Sequence, residues 1–142
     1  MKISTRSRYG LRLLVELASR GDGPVMVSRL ADAQDLPPAY AAKLVDPLRA
    51  AGLVRSARGS GGGIRLARPA DSISVLEAVE ALEGGLSLLD CTGGGDTCPR
   101  EAGCATRPVW TGLERTVRDY LAGFSLATLA GDLRGFEMSA GI

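Results

Sequence analysis

The sequence predicts a mostly α-helical chain with a small β-hairpin wing, arranged as a winged helix-turn-helix domain followed by a long C-terminal helix. Three observations predict this class. Apolar residues recur at helical spacing through the N-terminal third, a basic segment with a glycine-rich centre follows, and an aromatic stripe with heptad spacing lies nearer the C-terminus. The 142 residues suffice for one domain and an appended element, which we place at residues 1–70 and 71–142.

Two helices are predicted at the N-terminus. From Thr5 to Arg20 the apolar residues form one stripe and most charged residues lie away from it, as in an amphipathic helix. The segment from Gly21 to Pro24 breaks this pattern. A second, short helix is expected from Arg29 to Asp35, with Ser28 as its N-cap.

A third helix is predicted from Pro38 to about Ala51, because proline is well tolerated in a first helical turn. Pro47 falls inside it and removes the hydrogen bond to the Lys43 carbonyl, so we expect a kink or an early end. The predicted buried face comprises Tyr40, Leu44, Leu48 and Ala51.

A β-hairpin is predicted after this helix. Two short strands, at Leu53-Val54 and from Ile64 to Arg68, flank the basic run Arg55 to Arg58 and the glycine-rich tip Gly59 to Gly63. The tip is not a P-loop, since GSGGGI lacks the Gly-Lys-Ser/Thr ending that cradles phosphates. Helix, turn, helix and basic hairpin together predict the winged helix-turn-helix arrangement.

The two halves of the chain differ sharply in charge. Residues 1–68 carry 12 Lys and Arg against 5 Asp and Glu, whereas residues 69–142 carry 5 against 11. A basic first half suits a polyanion, so we predict binding to double-stranded DNA. We do not expect an enzyme or a small-molecule substrate, because the chain has no histidine, nucleophile motif or phosphate-binding loop.

The sequence predicts no membrane association. No apolar run reaches the roughly 18 residues needed to cross a bilayer. The N-terminal residues MKISTRSRYGLRLL have charges among their apolar positions, unlike a secretory signal. We therefore expect a cytoplasmic protein with reduced thiols.

Helices are also predicted in the second half. Ser74 and Glu77 have the spacing of a capping box, and Gly84-Gly85 would stop the helix that it begins. A longer helix is expected to begin near Thr106. The tail is predicted to form a short capped helix from Ser125 to Leu133, followed by loose terminal residues.

The longer helix carries large apolar residues spaced three, four, three and four positions apart, which is a heptad seam. Such a stripe could pack on the chain's own core or on a second copy. We favour a homodimer, because a winged domain of this size already has a core. The predicted dimerisation residues are Trp110, Leu113, Val117, Tyr120 and Phe124.

All three cysteines, Cys91, Cys98 and Cys104, fall within the loop from Asp90 to Arg107. An odd number of clustered thiols favours a shared metal centre or a redox thiol over a structural disulfide. Because the chain has no histidine, any further ligand must be an oxygen donor, a small exogenous ligand or a group from another subunit.

These features resemble the IscR/NsrR-like (Rrf-type) iron-sulfur winged helix-turn-helix regulators of bacteria. The resemblance covers MKISTRSRYGLR, PPAYAAKLVDPLRAAGLVRSARGSGGGIRLARP, ISVLEAVEALEG, the three-cysteine loop and the helix containing VW. The wing segment RGSGGGIRLARP is its most specific part. The resemblance implies a homodimeric transcription regulator whose three cysteines hold an iron-sulfur cluster that controls promoter affinity.

The resemblance implies that Cys91, Cys98 and Cys104 are the cluster ligands, although the first interval is one residue longer than in the IscR type. Arg107 stands where IscR-type members have a histidine, and Arg8 stands where NsrR-type members supply an aspartate from the partner. Neither fourth ligand is therefore present, and a two-iron or four-iron cluster fits equally well. The fourth-ligand candidates are Asp90, Asp96, Glu101 and Thr106, besides a low-molecular-weight thiol.

The resemblance also implies a DNA-binding surface. Arg58 matches a residue that enters the minor groove in relatives, where narrow grooves attract guanidinium groups. Tyr40 and Lys43 match contact positions on the recognition helix, but Ala39 and Ala42 replace polar residues there. The predicted set is completed by Arg6, Arg8, Arg55 and Ser60.

Two alternative functions use the same cysteines. A zinc-binding or thiol-redox regulator is possible in principle, but structural zinc normally takes four Cys or His ligands in close pairs, and this loop has no such pair. An iron-sulfur electron carrier or scaffold would have no use for a basic wing.

Overall fold

The computed structural model describes residues 2–59, 61–92 and 98–141, and the chain is mostly α-helical with one two-stranded hairpin in this part, as predicted. Short 3-10 turns precede the fourth and fifth helices. In chain order the helices and strands are α1 (Thr5–Ser19), α2 (Val27–Ala33), α3 (Pro38–Ala50), β1 (Val54–Ala57), β2 (Gly63–Leu66), α4 (Val75–Glu83), α5 (Arg107–Ala122) and α6 (Leu126–Ala140).

Helix α2 begins earlier than predicted, and Ser28 is not its N-cap. Met26 occupies the cap position without a side-chain hydrogen bond. The residue before it, Val25, exchanges two backbone hydrogen bonds with Ile64, at 2.8 and 2.9 Å. This pairing fixes the path of the chain into the helix, so the start of α2 is set by a tertiary contact rather than by a capping side chain.

Helix α3 does not end at Pro47, so the predicted early end is wrong. Proline deletes only the bond to the Lys43 carbonyl, and Lys43 is exposed on the solvent side where water can bond that carbonyl. The helix continues to Ala50, and Tyr40 and Ala51 do not belong to its buried face. The buried residues are Ala41, Leu44, Val45 and Leu48.

The hairpin is antiparallel, with Val54 opposite Leu66 and Ala57 opposite Gly63. Its core-facing side is anchored by the bridge between Ile64 and Val25. At Gly63, φ is +153° and an added Cβ would lie 2.2 Å from the Val25 carbonyl oxygen. Glycine is therefore required where the wing joins the segment before α2.

A single hydrophobic core joins the two halves of the chain. Leu14 and Leu48 from the N-terminal helices pack in one cluster with Leu82 of α4 and Leu126 of α6. Gly10 permits this approach, since an added Cβ would lie 2.5 Å from a Leu82 methyl carbon. The core therefore fixes α4 and α6 relative to the helix-turn-helix.

The predicted caps of the later helices are confirmed, but the tail is longer than predicted. Ser74 and Glu77 form the capping box of α4, and Gly84 ends it in the left-handed conformation. Ser125 caps α6, which continues to Ala140 instead of ending at Leu133. Its apolar residues pack against α1, and this packing extends the helix into a segment that was expected to be loose.

Candidate functional site

The exposed face of α3 carries Lys43, while Ala39 and Ala42 are also exposed beside it. Tyr40 is half-buried, and its ring meets Tyr9 of α1 edge-on at 6.3 Å between centroids. The aromatic contact fixes the direction of Tyr40, whereas the Lys43 side chain extends from the surface and can reach a base edge or a phosphate.

Arg49 ties the recognition helix to the wing. Its guanidinium bonds Asp46 one turn earlier on α3 at 3.0 Å, and its Nε donates to the Ser56 hydroxyl of β1 at 3.1 Å. These bonds restrict the position of β1 relative to α3. The two elements predicted to contact DNA are therefore held to each other by side chains as well as by the core.

Arg58 lies immediately after β1 and is exposed at the tip of the wing. Across the tip, the Gly62 amide donates to the Gly59 carbonyl at 2.9 Å. Arg55 is also exposed, further back on the same strand. Ser60, the remaining predicted wing residue, lies outside the described residues.

Arg6 and Arg8 are exposed on the first turn of α1. This end of the helix is held by Glu83 of α4, whose carboxylate accepts hydrogen bonds from the hydroxyls of Ser4 and Ser7. These bonds, from Ser4 first and then Ser7, lower the pKa of Glu83, and the nearby Arg6 charge adds to the effect. A deprotonated Glu83 therefore positions the two arginines at neutral pH.

A polar network links α1 to the helix-turn-helix. The carboxylate of Glu16 is largely buried and bonds Arg20 at 2.8 Å and the Gln34 amide at 3.2 Å. Gln34 also accepts from Arg12 at 2.8 Å, and the Arg12 guanidinium lies 5.3 Å above the Tyr9 ring. Through Tyr9 the network reaches Tyr40 on the recognition helix.

The cysteines are free thiols, with Cys91 and Cys98 exposed and Cys104 half-buried. Their positions do not form a three-donor group that could hold a metal ion, nor does any other set of His, Cys, Asp or Glu within residues 2–59, 61–92 and 98–141. The chemistry of the donors suits an iron-sulfur cluster, since thiolates are its usual protein ligands. Ligation by all three thiols would require Cys91, Cys98 and Cys104 to lie closer together.

The predicted oxygen donors occupy different environments. Glu101 forms an ion pair with Arg107 at 2.6 Å, across the start of α5. The Thr106 hydroxyl lies 3.3 Å from the Cys104 sulfur. Asp90 is exposed next to Cys91, and Asp96 lies outside the described residues. Two of the four candidates, Glu101 and Thr106, thus flank Cys104.

Cys104 lies just before the N-terminus of α5, in an environment that favours the thiolate. The Thr106 hydroxyl, followed by the backbone amides of Thr106 and Arg107, lowers the pKa of the Cys104 thiol. The amides at a helix N-terminus are free to bond an anion. Among the predicted ligands, Cys104 is therefore the one prepared for binding by α5 itself.

The segment that leads from α4 into the cysteine loop is also attached to α5. Glu114 accepts a hydrogen bond from the Leu88 amide, and Arg118 donates to the Leu86 carbonyl, both at 3.4 Å. Arg118 additionally pairs with Glu80 of α4 at 2.6 Å. The segment before the loop and, through the Glu101–Arg107 ion pair, the end of the loop thus both contact α5.

Helix α5 itself has no buried residue in the single chain. Trp110, Leu113 and Tyr120 are exposed by 40%, 39% and 67%, while Val117 and Phe124 are half-buried. Tyr120 and Phe124 contact each other edge-on at 5.1 Å between ring centroids. Phe124 lies beyond the end of α5 at Ala122, so the predicted seam extends past the helix. Trp110, Leu113 and Tyr120 form the apolar stripe that the chain's own core does not cover.

Several structurally important residues were not predicted. Arg65 lies opposite Arg55 in the hairpin. The alternation in Ile64-Arg65-Leu66 indicates that Arg65 faces away from the core, but only the strand register places it opposite Arg55. Glu114 and Arg118 hold the loop through bonds to distant backbone atoms, and Gln34 bridges α1 and α2. Nothing local in the sequence marks these last three contacts.

No helix in the described part of the chain has the length and apolar character needed to cross a bilayer.

Known proteins with similar sequences indicate the same family as the fold does. The model of the Rrf2 family, described as an iron-dependent transcriptional regulator, matches residues 3–132. Protein rrf2 of Nitratidesulfovibrio vulgaris is 38% identical over 133 residues, which cover 93% of this chain and 89% of that protein.

Two solved structures are similar along most of their length. CymR, the global cysteine regulator of B. subtilis, superposes with a TM-score of 0.76 at 36% identity, covering 92% of this chain and 97% of that one. IscR of T. potens superposes with a TM-score of 0.75 at 32% identity, covering 94% and 88%.

Proposed function

Because this chain belongs to the Rrf2 family of transcription regulators, we propose that it binds promoter DNA as a homodimer and that an iron-sulfur cluster controls its affinity. One observation carries the proposal. The segment that leads into the three-cysteine loop and the last part of the loop both contact α5, the helix with the uncovered apolar stripe, and the same core joins α4 and α6 to the N-terminal helices.

We assign DNA recognition to residues 1–70 and sensing and dimerisation to residues 71–142. In this assignment Lys43 and Tyr40 face the major groove and Arg58 enters the minor groove. Phosphate contacts hold the protein in register without reading sequence. They would come from Arg6, Arg8, Arg55 and Ser60.

We assign the dimer interface to α5. An exposed stripe of Trp110, Leu113 and Tyr120 is costly to leave in water, and a heptad spacing suits antiparallel or parallel packing on a second copy. The two recognition helices of a dimer then bind successive turns of the duplex, so their separation decides affinity. No enzymatic activity is part of this proposal, which places the protein in the cytoplasm with its DNA.

We assign the cluster to Cys91, Cys98 and Cys104, with the fourth ligand to come from Asp90, Asp96, Glu101, Thr106 or a small thiol. The donor chemistry and the lowered pKa of Cys104 support this assignment, and so does the iron-dependent description of the family. When bound, such a cluster would be sensitive to oxidants, nitric oxide or iron supply.

The residues around the loop suggest how its state reaches the DNA-binding surface. Glu114 and Arg118 hold the segment before the loop on α5, and the Glu101–Arg107 ion pair holds the end of the loop. Closure of the loop around its thiols would pull on both attachments and reorient α5 in the dimer. A coupling of about 1 to 3 kcal/mol would change DNA affinity about 5- to 150-fold.

Anaerobic purification tests the cluster assignment. We expect visible absorption together with iron and acid-labile sulfide, all of them lost in Cys98→Ala while cooperative unfolding is retained, because Cys98 is exposed and outside the core. Pro99→Ala, at the neighbouring exposed position, is the matched control and keeps the cluster. A colourless protein with stoichiometric zinc would reject the cluster and favour the zinc-regulator alternative.

The wing assignment is tested with Arg58→Ala. We expect weaker promoter binding, with the slope of log K against log salt reduced by about 1 for each subunit and the dimer intact. Arg115→Ala removes the same charge from the exposed side of α5, opposite the seam, and should leave the slope unchanged. Unaltered affinity of Arg58→Ala would refute the wing contact.

A further inference from the structure

We infer that Arg55 and Arg65 act as a pair that binds one backbone phosphate beside the minor groove entered by Arg58. The inference rests on the proposed function and extends it, because it adds Arg65 and assigns a shared ligand to two side chains. Four observations carry it: the strand register, the lack of protein partners for either guanidinium, the cleft that the two line, and their distance from the wing tip.

The register of the hairpin places Arg55 directly opposite Arg65. Side chains alternate along each strand, so the buried Val54 and Ile64 point to the core and both arginines point away from it. Directly opposed residues have Cβ atoms about 5 Å apart. Both arginines are exposed, and their guanidinium groups can therefore converge on one ligand.

Neither guanidinium forms an ion pair or side-chain hydrogen bond within residues 2–59, 61–92 and 98–141. Other arginines in the same part of the chain have acidic partners, such as Arg49 with Asp46 and Arg68 with Glu77. Like charges directly opposite each other destabilise a sheet. Two opposed charges that cost stability and have no acidic partner among the described residues point to an anionic ligand from outside.

Both arginines line a cleft that also includes Ala18 near the end of α1 and Gly21 just after it. These small residues leave space in front of the guanidinium groups. A third arginine in the cleft, Arg68, already pairs with Glu77. Among the described residues that line the cleft, Asp22 is the acidic one, and it forms no ion pair with either arginine. Two guanidinium groups in a space of this kind suit the several oxygens of one phosphate, which arginine binds in a bidentate manner.

The spacing along the wing fits DNA. Arg55 precedes Arg58 by three residues, which is about 10 Å of extended chain. The minor groove is about 6 Å wide and is bordered by the two phosphate backbones. With Arg58 in the groove, the arginine pair lies over a bordering backbone rather than over base edges, so its contribution is independent of sequence.

The test measures the salt dependence of binding to a duplex that the wild-type protein has selected from a random-sequence pool. We compare Arg55→Gln, Arg65→Gln, the double variant and Arg115→Gln, between about 50 and 200 mM salt. The measured quantity is the slope of log K against log salt. Because the arginines share one phosphate, the double variant should reduce this slope by about 0.9 for each bound subunit, and each single variant should reduce it clearly less. We expect about a tenfold loss of affinity for each bound subunit of the double variant near 0.1 M salt.

Thermal unfolding distinguishes a DNA contact from a structural role. Loss of either charge relieves the repulsion between the strands, so the variants should unfold at the same or a higher temperature than the wild type. Lower unfolding temperatures would overturn the inference, as would an unchanged slope in the double variant or an equal loss in Arg115→Gln. Additive losses near 0.9 in each single variant would show two separate phosphates and reject the shared one. A wild-type protein that selects no duplex would instead reject the proposed function itself.

Discussion

Gly63 joins the wing to the rest of the domain through its backbone. The next residue, Ile64, pairs with Val25 in both directions, and Gly63 lies so close to the Val25 carbonyl that no side chain fits. The residue also has a φ of +153°, which is rare for residues with a side chain. The direction of the wing, and with it of Arg58, therefore depends on this glycine.

We predict that Gly63→Ala lowers the free energy of unfolding by about 2 kcal/mol or more, because the new Cβ would force Val25 and the hairpin apart. Gly61→Ala is the matched control in the same tip, where an added Cβ meets nothing within 4 Å. Chemical denaturation of both variants measures the difference. Equal stability of the two would show that the close approach at Val25 is not a constraint.

Arg65 illustrates what could not be predicted from the sequence at individual positions. The exposure of Arg58 and Lys43 follows from the predicted elements, and both side chains are exposed. Arg65 acquires its place only from the strand register, which depends on the winding of the tip between Gly59 and Gly62. A shift of the register by one residue would have turned it toward the core.

The contact between α1 and α4 depends on a carboxylate placed at the end of one helix and the start of another. Glu83 ends α4, where a negative charge is unfavourable, but it accepts hydrogen bonds at the N-terminus of α1, where it is favourable. The donors, Ser4 first and then Ser7, lower its pKa from the ordinary value of 4.5. The stability that Glu83 contributes is thus present above about pH 4.5 and is lost as the pH falls through the lower folded value.

We predict that Glu83→Gln lowers the free energy of unfolding at pH 7 by no more than about 1 kcal/mol, since the group is exposed and screened by solvent. The difference from wild type should shrink as the pH falls below about 4.5, where the wild-type carboxylate becomes protonated. Melting temperatures between pH 3 and 7 measure this. Glu137→Gln on α6 is the control, and a constant difference across the range would contradict the charged-cap interpretation.

Helix ends were predictable where the signal was local and not where it was tertiary. The capping box at Ser74 and the cap at Ser125 consist of a side chain and a backbone amide three residues later, so the sequence contains both partners. The start of α2 depends on the Val25–Ile64 bridge, and the length of α6 depends on packing against α1. Neither contact is visible in a short window of sequence.

In the whole molecule, the basic half and the acidic half of the chain meet near residue 70, but the hydrophobic core is not divided there. Leu82 and Leu126 pack in the same cluster as Leu14 and Leu48, and α6 lies along α1. The proposed division of the chain is therefore one of function. Because the core is continuous, a movement of α4 or α6 cannot be absorbed by a flexible linker and would reach the helices to which we assign DNA recognition.

The oligomeric state is the property of the whole molecule on which this coupling depends. No residue of α5 is buried in the single chain, and the heptad stripe leaves Trp110, Leu113 and Tyr120 in solvent. Substitution on this stripe should therefore spare the fold of the subunit. It would remove only the contacts between copies.

We predict that the wild-type protein is a dimer at micromolar concentration. Leu113→Glu should raise the dimer dissociation constant at least about 100-fold, because the variant buries one charge per subunit in place of an apolar side chain. The variant should keep a cooperative thermal transition and lose DNA affinity, since one subunit engages a single half-site. Arg115→Glu, on the opposite side of α5, is the control and should remain dimeric. Sedimentation velocity measures both variants, and a Leu113→Glu protein that stays dimeric would place the interface elsewhere.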